Sequence, residues 1–190
     1  MLSRRIVPLL LAALPLASLS PAEPLFFELD PKATTVSFTF GATLHTVKGS
    51  LRAREGTLRI DPETGSASGW VVLDAASATT GNARRDRKMH EKILESQRYP
   101  DMLFDIERVS GKVNPAGRSE LQLHGTLTMH GVRRTVSLPA VAMAAGNKVT
   151  ATGALTIPYL EWGLKDPSFF VLRVAKEIRV EIKATGRLGR

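Results

Sequence analysis

The chain has 190 residues, with 26 lysines and arginines against 18 aspartates and glutamates, four histidines and no cysteine. That length makes one domain with a sizeable core the default. The missing cysteines exclude a disulfide framework, a thiolate metal site and a thiol nucleophile, so packing and sheet hydrogen bonds must supply the stability.

The first 22 residues stand apart from the rest. Arg4 and Arg5 form a basic start, Ile6 to Leu16 is apolar and broken only by prolines, and Ser20-Pro21-Ala22 is a small-x-small step. This pattern predicts a secretory leader cleaved near Ala22, because the apolar run is too short to span a bilayer. A retained N-terminal anchor is the competing reading, and with no cysteine near the step a lipoprotein anchor is excluded. The expected location is periplasmic or secreted. Cleavage removes Arg4 and Arg5, so 26 less two leaves 24 basic residues against 18 acidic ones, a net charge of +6.

From Leu25 onward the signal has period two. Val36, Phe38 and Phe40 alternate with Thr35, Ser37 and Thr39. Leu121, Leu123, Leu127 and Met129 share one face of a later run, and Ile178, Val180 and Ile182 alternate with Arg179, Glu181 and Lys183. Such runs are half-buried antiparallel strands. Asp61–Gly65, Asn114–Gly117 and Gly146-Asn147 supply the turns between them. Gly125, Gly131 and Gly153, inside strand-like runs, predict bulges or bends that let a sheet curl closed. The expected fold is all-β: a single antiparallel barrel of about eight strands, with residues 23–190 as one domain.

One stretch breaks the alternation. Residues 82–97 have helical spacing, and from Asn82 to Arg98 there are six basic and three acidic residues, so half of the mature net charge sits there. Thr80 or Asn82 can cap this helix, and Pro100 forces Tyr99 to extended geometry beyond its end. Asp86, His90, Ile93 and Gln97 fall on one face with Met89 and Leu94 beside them; Arg84, Lys88, Glu91 and Glu95 lie opposite. With so few apolar residues the helix must lie on something larger, such as the mouth of a barrel. Asp86 and His90, four apart, can pair either as a general acid–base couple or as a pin to the barrel.

Catalytic and cofactor motifs are scarce. Gly65-Ser66-Ala67-Ser68-Gly69 has alanine where a nucleophile elbow needs serine, and there is neither a P-loop nor a dinucleotide fingerprint. No nucleic-acid partner, cofactor or catalytic residue is expected. His45, His90, His124 and His130 lack ligand spacing, so a metal site requires His45 or His90 to approach the others in space. Phe38, Phe40, Trp70, Phe104, Trp162, Phe169 and Phe170 either line a ligand cavity or fill a core, since an eight-stranded barrel has room for either.

The segments "FELDPKATTVSFTF", "TLRIDPETG", "TGNARRDRKMHEKILESQRYPDMLF", "LHGTLTMHGVRRTVSLP" and "IPYLEWGLKD" occur in this order. Together they resemble the YceI-like family of exported lipid- and polyisoprenoid-binding proteins, across about Phe27 to Arg187. The resemblance implies a lipocalin-like barrel that carries an amphiphile of the isoprenoid class: a polyprenyl chain, a quinone-like molecule or a polyprenyl phosphate. Phe38, Phe40, Trp70, Phe104, Leu127, Trp162, Phe169 and Phe170 would then line the cavity. The helix would sit near the open end, where Arg84, Arg85, Lys88 and His90 are candidates to meet a head group. At ~0.8 kcal/mol per buried CH₂, a few isoprene units supply on the order of 10 kcal/mol before ordering costs, so the tail dominates affinity. Two rivals stand beside this reading: a hydrolase or metal enzyme using His90 with Asp86, and a packed barrel acting through its surface on membranes. Transient membrane contact and a homodimer are compatible with the sequence.

Overall fold

Alternation of apolar and polar residues builds nine strands among the described residues. They are β1 (Leu25–Leu29), β2 (Thr35–Gly41), β3 (Thr46–Ile60), β4 (Ser66–Thr79), β5 (Asp101–Ser110), β6 (Arg118–Met129), β7 (Val132–Ala145), β8 (Lys148–Ile157) and β9 (Ile178–Gly189). The computed structural model describes residues 23–168 and 173–189. The expected leader and the pair Phe169 and Phe170 lie outside the described residues.

Each strand pairs antiparallel with its neighbours, and the ring closes where β9 meets both β1 and β2. β1 and β2 are two halves of one stave. β1 lies on residues 57–60 of β3 and 186–189 of β9, whereas β2 lies on residues 46–51 and 179–183. Between the halves, Asp30 accepts hydrogen bonds from the Lys32 and Ala33 N–H groups, and Thr34 exchanges bonds with the Thr185 backbone. Nine strands therefore form a closed barrel of eight staves, which leaves no free sheet edge.

Register shifts interrupt β3 on β4, β4 on β5, and β5 on β6. Gly125 belongs to the last of these. A Cβ there would come within 1.9 Å of the Asp105 carbonyl oxygen, so only glycine lets β6 approach β5 so closely. Gly131 differs from the sequence expectation: it lies in the two-residue turn between β6 and β7, not in a strand bend. His130 and Gly131 both have positive φ, 52° and 76°, as a type I′ hairpin requires.

The two ends of the barrel are unlike. One end carries the short connections 61–65, 111–117 and 146–147. The other carries the 130–131 turn, the helical segment between β4 and β5, and the long β8–β9 connection. We call these the turn end and the lid end. In the lid end the helix is shorter than the 82–97 that the spacing predicts. Helix α1 spans Ala83–Lys88 and runs on as a π-helical turn over Met89–Ile93, closed by the Leu94 N–H on the Met89 carbonyl. The extra residue in that turn moves the later side chains off the α-helical stripe. Glu95 at φ 45° then ends the helix, and Gln97 lies exposed beyond it.

Candidate functional site

An apolar cavity of about 270 Å³ runs along the barrel axis. At the lid end it is bounded by Met89, Leu94, Tyr159 and Leu164, and at the turn end it reaches Val113 to Gly117. The inward faces of the strands form its wall, including Phe27, Val36, Ile106 and Val180. Among the described residues no lysine, arginine, histidine, aspartate or glutamate lines it. The interior is therefore hollow, with a volume near the lower end of small-molecule pockets.

The structure divides the predicted lining residues. Phe38, Phe104 and Leu127 line the cavity. Phe40 does not: it stacks on Phe38, with ring centroids 6.3 Å apart, at the rim of the wall. Trp70 does not either. Val71 and Leu73 line the cavity, so the alternation of β4 turns Trp70 outward. Trp162 is 3% exposed but belongs to solid packing around Leu127, Met129 and Ile157. It sits on a 3₁₀ turn, Tyr159–Trp162, that folds across the barrel end, and its indole N–H donates to the Leu127 carbonyl at 3.2 Å. Large aromatic residues were expected to line the wall, yet aliphatic positions supply most of it.

The lid carries the polar residues, and here too the structure corrects the sequence reading. Asp86 and His90 do not pair. Asp86 accepts from the Thr79 hydroxyl at 2.8 Å, from the Thr80 N–H at 2.9 Å and from the Thr80 hydroxyl. Burial pushes its carboxyl up, but the Thr80 and Thr79 hydrogen bonds outweigh that and hold it below the usual carboxylate range. The Arg85 Nε donates to the Thr80 hydroxyl at 2.7 Å and its guanidinium also reaches the Thr80 carbonyl, so Arg85 is committed to the same knot. Asn82 caps the helix, accepting from the Arg85 N–H at 3.0 Å.

His90 is a pin between lid and wall. Its Nε2 lies 2.8 Å from the Ala78 carbonyl and its Nδ1 3.0 Å from the Ser96 hydroxyl. The carbonyl can only accept, so Nε2 is the donor there, and in the neutral ring Nδ1 accepts from Ser96. Of the four head-group candidates, Arg85 and His90 are thus occupied, whereas Arg84 and Lys88 are exposed on the outer face. A second tie closes the far side of the lid. Glu95 meets Lys165 at 3.3 Å and His130 at 3.6 Å, and the His130 ring packs on Tyr99 at 4.4 Å. The Lys165 hydrogen bond is the largest influence on Glu95 and holds its pKa below the usual carboxylate range.

The remaining histidines do not gather. His124 contacts Ser110 at 2.9 Å and Ser137 at 2.8 Å across the outer wall. No group of three metal-ligating side chains occurs among the described residues.

One lining residue was not singled out from the sequence. Tyr159 is 2% exposed, lines the cavity at the lid end, and its hydroxyl has no hydrogen-bond partner among the described residues. Burial, with Asp166 nearby, raises its pKa. The alternation stops at Ile157-Pro158, so periodicity gives no side for the residue that follows. Met89 and Leu94 were placed beside the polar helix face; only the π-helical turn sets both against the cavity.

The YceI-like domain model matches residues 27–186. A "UPF0312 protein" of Pseudomonas savastanoi pv. phaseolicola is 28% identical over 147 residues, covering 73% of this chain and 71% of that one. The "UPF0312 protein VPA0850" of Vibrio parahaemolyticus is 27% identical over 140 residues, 71% of this chain and 70% of its own. Among solved structures, Burkholderia cenocepacia BcnA has a TM-score of 0.69 at 19% identity, covering 83% of this chain and 98% of that one. A polyisoprenoid binding domain from Saccharophagus degradans, implicated in plant cell wall breakdown, has a TM-score of 0.68 at 15% identity, covering 86% and 98%. At these identities the two structures establish a shared fold.

Proposed function

The chain belongs to the YceI-like family, and on that footing we propose that it is an exported carrier holding an amphiphilic isoprenoid by its tail inside the barrel. The observation that carries this reading is the cavity, hollow and without a charged wall residue. Such a wall gives an apolar chain about 0.8 kcal/mol per buried CH₂ and gives a charged group nothing in return for its lost hydration. The structural neighbour from Saccharophagus degradans is itself described as polyisoprenoid-binding, and family and neighbours together point to binding rather than catalysis. The residues of the rival enzyme reading, Asp86 and His90, hold lid to wall through separate partners.

The finer proposal concerns how cargo is exchanged. Arg84 and Lys88 on the outer face of the lid stand at the same end as Leu44 and Leu160, which are 84% and 40% exposed. This combination of basic and apolar groups supports transient contact with an anionic membrane surface. Native mass spectrometry of the mature protein, exported and purified without detergent, tests the carrier. A co-purified lipid of isoprenoid mass is expected; a protein that neither retains nor takes up isoprenoids contradicts the reading. The same spectra report whether the chain pairs with a second copy.

A further inference from the structure

We propose that residues 82–96 are the gate through which cargo enters and leaves the barrel, hinged on the end of β4 and latched to the far rim by Glu95. The inference rests on the carrier reading and names the route that its cargo takes.

Three observations carry it. First, the two ends of the barrel are closed by different bonds. At the turn end each connection is tied, main chain to main chain, to the stave beyond it. The Val109 N–H donates to the Gly65 carbonyl at 3.0 Å, the Ala144 N–H to the Gly117 carbonyl at 3.0 Å, and the Leu188 N–H to the Asn147 carbonyl at 2.7 Å. Opening that end would strip partners from backbone groups of the sheet. In the lid the main-chain hydrogen bonds of residues 82–96 all stay within residues 82–99, among the described residues. The lid can therefore lift without breaking a backbone bond to the barrel.

Second, the polar ties of the lid are one-sided. Asp86 and Arg85 hold Thr79 and Thr80, and His90 holds Ala78, all at the end of β4 from which the lid springs. Gly81, just before the helix, has φ 73° and open space around it, so the chain can turn there at little cost. Among the described residues only Glu95 carries polar bonds from the lid to the far rim, one carboxylate oxygen 3.3 Å from Lys165 and the other 3.6 Å from His130. Both posts are fixed. The His130 ring packs on Tyr99, and the β8–β9 connection that carries Lys165 is bonded through Arg173 and Ala175 to the β2–β3 hairpin. Third, the lid covers the cavity itself. Met89 and Leu94 line it, and Ile93 and Leu94 pack against the cluster that includes Tyr159, Trp162 and Leu164. Glu95, Lys165 and His130 do not line it. The latch thus sets how often the lid lifts without touching what lies beneath, so it acts on rates and not on affinity. With the Lys165 side chain 69% exposed, the latch is a light one.

The test follows a short-tailed prenylated benzoquinone entering and leaving the mature protein, by stopped-flow quenching of tryptophan fluorescence. Glu95→Gln and Lys165→Met each remove the ion pair from one side. Both variants should take up and release the quinone about threefold to fivefold faster than the wild type, with equilibrium affinity unchanged. A merely structural role for the pair would not raise both rates together. The chain has no cysteine, so Glu95→Cys with Lys165→Cys can be joined by a bis-maleimide with a disulfide spacer. The linked, empty protein should take up no quinone, and the same sample should bind it once a reductant cuts the spacer. Uptake by the linked protein at the rate of the unlinked double variant would send the cargo through the turn end and overturn the gate. Rates in Glu95→Gln and Lys165→Met equal to those of the wild type would overturn the latch. Either result leaves the carrier intact. A wild type that binds neither the quinone nor the corresponding prenyl pyrophosphate overturns the carrier and the gate with it.

Discussion

Along β6, Leu121, Leu123, Leu127 and Met129 all reach the cavity, because every second residue of a strand faces the same way. Across the lid, from Thr79 to Asp101, no such rule holds. There Asp86 turns back to Thr79 and Thr80, His90 bridges Ala78 and Ser96, and a π-helical turn rather than a regular helix sets Met89 and Leu94 against the cavity. The wall is held by many similar contacts spread around a closed ring, the lid by a handful of specific polar ones. A fault in the wall should therefore be felt by the whole molecule. A fault in the lid should be felt locally, as opening.

Four variants and one control would sharpen or break this contrast. The largest effect is expected at Gly125. Any side chain there must displace the Asp105 backbone from 1.9 Å, so Gly125→Val should yield no folded protein in a circular-dichroism and solubility assay. A folded variant would mean that β5 and β6 can separate at this bulge without loss of the barrel.

Next comes Leu127→Asn, which removes a buried aliphatic side chain and adds an unsatisfied amide in the wall. About 3 kcal/mol of destabilisation is expected, lowering the melting temperature by roughly 6–12 °C. Prenyl-lipid uptake by the folded fraction should fall as well. Trp70→Asn, on the outer face of β4, is the control that should leave uptake intact.

Asp86→Asn addresses the lid. Loss of the charged acceptor should cost about 1–2 kcal/mol, read as faster hydrogen exchange over residues 80–93 with little change in β6 or β7. The wild type should show the same opening with acid. The folded carboxyl of Asp86 titrates below its unfolded value, so its contribution is present above the unfolded pKa of about 4. It is lost as pH falls through the lower folded value. Uniform exchange across wall and lid in the variant would remove the distinction between the two regions.

The smallest effect on the fold, within about 0.5 kcal/mol, is expected from Arg84→Glu with Lys88→Glu, because both side chains are exposed. Partitioning onto anionic vesicles should nevertheless fall about tenfold, and the loss should shrink as salt is added. Equal partitioning of variant and wild type at low salt would make these charges a merely solvated face.

By itself the sequence determined the eight-staved barrel, since period-two alternation fixes which side of a strand is apolar before any partner is known. It also marked the helical segment between β4 and β5, and Phe38, Phe104 and Leu127, three of the residues expected on the wall, border the cavity. It could not say that Phe40 and Trp162 stand away from the cavity or that Trp70 faces outward. Size and apolarity mark a residue for burial but do not distinguish a cavity wall from a packed plug. It paired Asp86 with His90 because four residues separate them, whereas two threonines at the end of β4 offered the carboxylate closer donors. Tyr159 was invisible for a related reason. Its hydroxyl is unpaired only because the 3₁₀ turn carries it across the end of a closed barrel, and whether a polar group finds a partner is decided by everything packed around it.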